Sequence, residues 1–101
     1  GSNMYRQGDI LIERIETIPA SAKRRRQRKR IVIAEGESSG HAHVVDTAVP
    51  FDDAGITYLD IQQAVAMLTH QEHATIELPR GKYRVIRQRE YAPEAPRQVA
   101  D

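Results

Sequence analysis

The sequence contains no cysteine. That excludes a disulfide framework, a thiolate nucleophile and thiolate metal ligands. Tryptophan is also absent, and the aromatics amount to four tyrosines and one phenylalanine. Tyr5, Phe51, Tyr58, Tyr83 and Tyr91 are too scattered for a base-stacking platform. No apolar run approaches the roughly 20 residues of a membrane span. The opening stretch, MYRQGDILIERIE, is charged too early and too often for a signal peptide. These absences lead to the expectation of a cytoplasmic protein with no membrane association. No long apolar stripe of helical period occurs, and there is no internal repeat.

What is present is unevenly placed. The chain has 101 residues, enough for one domain with one modest core. Its formal net charge is only +1, yet KRRRQRKR (23–30) holds seven of the 15 basic residues. The remainder is acidic, 8 basic residues against 14 acidic ones. A block of this kind repels itself and stays solvated. Lys23, Arg24, Arg25, Arg26, Arg28, Lys29 and Arg30 therefore read either as a mobile surface loop or as a contact for nucleic acid or another polyanion.

The hydrophobic pattern predicts short strands. GDILIERI (8–15), IVIA (31–34), HAHVVD (41–46), ITYLDI (56–61), ATIEL (74–78) and KYRVIRQREY (82–91) are β-branched or alternating. AVAMLT (64–69) suits either the second arm of a hairpin turning at Gln62–Gln63 or a short helix. Residues 16–22, 35–40, 47–55 and 79–81 carry loop and turn chemistry. The expected fold is all-β, a single small sandwich or partly open barrel of about six or seven strands. The domain is expected to span 4–91, with a basic loop at 23–30 and an extended tail at 92–101. Residues 1–3, GSN, read as vector-derived.

All four histidines fall into two tight pairs, GHAHVV (40–45) and LTHQEH (68–73). On a strand, residues two apart share a face, so His41, His43 and Val45 are expected to point one way, roughly 7 Å apart. His70 and His73 share a face on a helical turn and oppose each other on a strand. Imidazole is a common ligand for zinc, nickel, iron and related ions. The expectation is a divalent transition-metal site of zinc, nickel, iron or manganese. His41, His43 and His73 are its ligands, and His70 is a fourth ligand or a neighbour. If the site is catalytic, His70 and Glu72 handle protons and Arg87 or Arg89 anchors an anion, with a phosphoester or nucleic acid as substrate. Two alternatives stay open. One is a metal-independent phosphodiesterase using paired histidines as acid and base. The other is a non-enzymatic module that binds nucleic acid or protein through the basic block, with the histidines merely packed.

RQGDILI (6–12), AEGESSGHAHVV (34–45) and LTHQEHATIELPRGKYRVIRQREY (68–91) together resemble a family of small bacterial and phage proteins. Its pattern runs RQGD, then AEGE and GHxH, then LTHxEH and LP, closing on RQREY. The resemblance carries no activity. It does not include KRRRQRKR. GHAH and LPRGKY are more weakly similar to pieces of the two cupin motifs, which implies a metal-binding β-barrel. The acidic ligand a cupin carries shortly after HxH has no counterpart, since positions 44–51 offer only Asp46. His73 also precedes LPRG instead of following it.

Overall fold

The computed structural model describes residues 4–35 and 40–87. The fold is all-β: β1 (Met4–Gln7), β2 (Ile10–Ile15), β3 (Lys23–Arg24), β4 (Lys29–Glu35), β5 (Ala42–Thr47), β6 (Val49–Asp53), β7 (Ile56–His70) and β8 (His73–Arg87). They form one antiparallel sheet in the order β1-β2-β8-β7-β5-β4, with β6 also on β7 and β3 on β6. The sheet is open, with β1 and β4 at its edges, and so is not the barrel that the cupin-like pieces imply. Among the described residues no helix is long and apolar enough to cross a membrane.

The two long strands explain the compactness. β7 and β8 each run 15 residues and pair through most of their length. Their register shifts between Ile61 and Val65, opposite Pro79 and Gly81. Such a bulge bends a strand pair and increases its twist. The sheet therefore curls over a single apolar cluster. Ile10 and Ile12 of β2, Ile31 and Ile33 of β4, Leu59, Ile61 and Leu68 of β7, and Leu78, Tyr83 and Val85 of β8 all belong to it. Arg87 ties the curl together by donating from Nη2 to the Glu35 carbonyl at 2.8 Å, which links β8 to the end of β4.

Several local expectations change. Residues 62–69 form neither a turn nor a helix: they continue β7, because Ala66 and Leu68 have core positions to fill. Likewise 79–81 lies inside β8, where Arg80 alone opposes the extra residues 62–64 of β7, and 49–53 of the expected loop is β6. The basic segment is not one loop. Lys23–Arg24 pairs with β6, and Lys29 and Arg30 open β4. Arg25 joins Asp52, with Nε to Oδ2 at 2.6 Å and Nη2 to Oδ1 at 3.0 Å. This bidentate pair holds the segment against β6. It raises the Arg25 pKa and lowers that of Asp52. Residues 88–91 of the last expected strand, Arg89 among them, and the tail at 92–101 lie outside the described residues.

Candidate functional site

Two turns and the start of β5 converge at one end of the sheet. β1 and β2 are joined by Gly8–Asp9 alone, since Gln7 pairs directly with Ile10. Gly8 has φ +60°, which a two-residue type II′ turn requires at its first central position. β7 and β8 are joined by Gln71–Glu72, with His70 opposite His73. His70 and His73 therefore meet across a hairpin, a geometry different from both the helical turn and the single strand. The third contributor is the start of β5, which carries His41 and His43.

His43 lies at the centre. Only 1% of it is exposed, and its neighbour Gln7 is 2% exposed. It occupies the inward face of β5 with Val45, as strand alternation predicts. The ring centroids of His43 and His70 are 4.4 Å apart, those of His70 and His73 4.6 Å, and those of His43 and His73 6.4 Å. His41 stands further out. Its ring lies 5.7 Å from that of His70, and its Nε2 lies 3.6 Å from Glu72 Oε2.

Hydrogen bonding fixes the tautomers of two of these rings. Gln7 Nε2 donates to the Leu68 carbonyl at 3.1 Å and to the Ala74 carbonyl at 2.9 Å. Both partners can only accept, so the orientation of the amide is determined. Gln7 Oε1 must then be the atom 2.8 Å from His43 Nδ1, and Nδ1 must carry a proton. In the neutral ring, His43 Nε2 consequently holds the lone pair. It points at Asp9 Oδ1, 3.1 Å away. His70 is fixed in the opposite sense. Its Nδ1 accepts from the Glu72 backbone N–H at 3.0 Å, so Nε2 carries the proton in the neutral ring.

The contact between His43 and Asp9 sets one acceptor against another unless a cation or proton lies between them. Burial lowers the His43 pKa and so opposes the proton. The hydrogen bond to Asp9 works the other way, while the neighbouring His70 and His73 add to the lowering. A second observation concerns Gly8. A Cβ built there would lie 2.6 Å from His73 Nε2 and 3.4 Å from His43 Cε1. Glycine thus keeps open a space bordered by both rings and by the Asp9 turn.

Among the described residues no three His, Asp or Glu side chains already converge on one point as metal ligands. Three donor groups lie around the Gly8 turn: His73 Nε2 beside the space itself, His43 Nε2, and the Asp9 carboxylate 3.1 Å from His43 Nε2. Rings bound to one tetrahedral ion at about 2.0–2.1 Å have centroids roughly 5 Å apart. The 6.4 Å between the His43 and His73 centroids exceeds that separation and the two rings lie parallel, 7° apart, so sharing one ion requires the exposed His73 ring to turn.

Of the residues singled out in the sequence, His43, His70 and His73 meet, whereas His41 and Glu72 form an outer pair. Arg87 is engaged with Glu35. Gln7, Gly8 and Asp9 join the site, although in the sequence they are marked only as part of the RQGD segment, with no role in the site. Their signal is QGD before a buried strand, a glycine-first two-residue turn that places an acidic side chain at the sheet end.

The convergence joins the three segments RQGD, GHAH and LTHQEH, and all of them fall within residues 6–88, which match the family described as "Domain of unknown function (DUF8820)". The chain belongs to this family. No curated protein and no solved structure matches the chain. The matched span in this family member starts at the β1 residue Arg6 and takes in both hairpin turns and the start of β5.

Proposed function

We propose that the domain binds one divalent transition metal through His43 Nε2, His73 Nε2 and the Asp9 carboxylate. The observation that carries this reading is the Gln7–His43–Asp9 arrangement. A metal-bound histidine commonly donates its second ring N–H to an oxygen acceptor that fixes its tautomer. Gln7 supplies that acceptor, and Asp9 supplies negative charge where the cation belongs. Two imidazoles and one carboxylate leave coordination positions for water or a substrate. His41 and Glu72 stand outside this set, and His70 packs beside it with its ring centroid 4.4 Å from that of His43. A metal held here would supply Lewis acidity toward a phosphoester.

The test is metal content by plasma mass spectrometry on protein purified without a histidine tag. Near-stoichiometric metal, lost in both His43→Ala and Asp9→Asn, is the expected result. Metal-free protein that gains no thermal stability from added zinc, nickel, manganese or iron would overturn the reading.

One observation favours a second reading. His43 and His70 are neighbours with opposite tautomers, one offering a lone pair and the other a proton at Nε2. That is the requirement for a base and an acid acting on a phosphodiester without metal. Phosphodiesterase activity that survives a chelator would select this reading over the first.

A further inference from the structure

The cations at the β4 edge remain outside the histidine site. Of the seven in residues 23–30, Arg25 is paired with Asp52. Lys23, Arg24, Arg26, Arg28, Lys29 and Arg30 are exposed, and none forms an ion pair among the described residues. They follow one another along the outermost row of the sheet. At the ordinary strand rise, eight residues cover roughly 25 Å.

Arg30 departs from its strand. Its φ is +52°, a left-handed conformation that is costly for a non-glycine residue. Gln27 Nε2 stabilises it by donating to the Arg30 carbonyl at 3.0 Å. Arg30 lines a cleft of about 240 Å³ together with Ala42, Val44, Thr69, His70 and Gln71. The other polar side chains in this cleft are already engaged. Thr69 donates to the Val44 carbonyl, and Gln71 bridges the Ala42 N–H and the Gly40 carbonyl. Arg30 and the Nε2–H of His70 are left to act, and both are donors. Their complement is an anion.

Two carbonyls of this edge are occupied. Arg25 Nη1 donates to the Val32 carbonyl at 3.3 Å, and the Arg30 carbonyl is held by Gln27. A peptide adding itself as a further strand needs those backbone groups. Around Arg30 and Val32 the edge therefore offers charge more than backbone pairing, which favours a partner recognised through a repeated anionic backbone.

We propose that the row from Lys23 to Arg30 is a track for the phosphates of a single nucleic-acid strand, with one phosphate seated between Arg30 and His70. With no aromatic side chain in the row, recognition is through the backbone and independent of base sequence. The proposal does not require the metal centre to be loaded.

The test is fluorescence anisotropy with a labelled oligodeoxythymidylate and a matching oligouridylate, run in chelator across a salt series. The full chain is expected to bind with a steep salt dependence. Arg28→Gln/Lys29→Gln/Arg30→Gln should weaken binding at least about tenfold and flatten the slope by about 0.7 for each phosphate no longer neutralised. The ring signals of His70 in nuclear magnetic resonance should shift on addition of either strand. Preference between the two strands identifies DNA or RNA as the natural source. Three results would overturn the proposal: no salt-dependent binding, a triple variant that binds like the wild type, or equal displacement by polyglutamate at matched charge. If the triple variant fails to fold, Arg30→Gln alone and the His70 shift decide the matter.

Discussion

The histidine end and the cationic edge both concentrate one kind of side chain, but they do so in opposite physical states. At the histidine end the central groups are buried and mutually committed: Gln7 uses both its protons and its oxygen, and His43 is fixed through Gln7. At the edge six of the seven cations are exposed and form no ion pair among the described residues, whereas Arg25 is paired with Asp52. A buried polar group is costly unless it is satisfied, so its partners define its geometry. An exposed charge costs the fold little, so the fold does not explain why it is there. The first region is thus informative about chemistry at a point. The second is informative about long-range attraction.

Substitution should separate the regions most clearly at His43. His43→Ala leaves a cavity and strands Gln7 Oε1, and should cost about 3 kcal/mol. Arg24→Ala, at an exposed position, should change stability by no more than about 0.5 kcal/mol. Urea unfolding of both variants measures the contrast, and equal losses would erase it.

A smaller effect is expected from Gln7→Leu on metal affinity. It removes the group that fixes the His43 tautomer while keeping apolar bulk, and should weaken zinc binding about 10- to 100-fold. Calorimetric titration reads this directly. Gly8→Ala tests the open space beside it. The positive φ alone costs about 1–2 kcal/mol, and the added Cβ displaces the His73 ring, so stability and metal affinity should fall together.

The pH response adds a signature of the buried end. Because the folded-state pKa of His43 lies below its unfolded value, the unfolded chain binds the extra proton first. The contribution of neutral His43 is fully present above about pH 6.5 and is lost as pH falls through the lower folded-state value. Metal binding should weaken over the same acid range, because the ligand must be deprotonated. Thermal midpoints across pH, compared with those of His43→Gln, isolate this contribution. A parallel pair of profiles would show that His43 is not responsible.

The smallest effect is expected at Arg25. Its pair with Asp52 is partly exposed and screened, so Arg25→Gln should cost about 0.5–1 kcal/mol. The Asp52 pKa is depressed, so this contribution holds above about pH 4 and disappears as pH falls below it. The loss should shrink in high salt, unlike that at His43.

Much of the fold was legible from alternation. GDILI and KYRV carry apolar residues at every second position, Ile10 and Ile12 in one and Tyr83 and Val85 in the other, and all four do lie inside. The long β7 was not legible, because AVAMLT carries helix-favouring alanine and methionine that only tertiary packing overrides. The hairpin at Gln71–Glu72 was legible only as a break between two strand-like runs and not as a two-residue turn, because it lacks the glycine or asparagine that usually marks one. That hairpin determines how His70 and His73 meet, so the site was visible as a set of residue types and not as a geometry. Asp9 shows the same limit. An isolated aspartate in a turn has no periodic signal, and only the folding of β7 and β8 back over the β1–β2 turn gives it a partner.

The chemistry of the site depends on His43 presenting an unprotonated Nε2 to Asp9 while His70 presents a protonated one. Long-range proton–nitrogen correlation of the histidine rings at mildly alkaline pH, with zinc added stepwise, observes both tautomers. Nδ1–H for His43 and Nε2–H for His70 are expected before zinc. A stoichiometric shift of the Nε2 signals of His43 and His73 should then follow, with the His70 tautomer retained. An Nε2–H tautomer at His43, or ring signals that do not move with zinc, would show that this end of the sheet is not the metal centre described above.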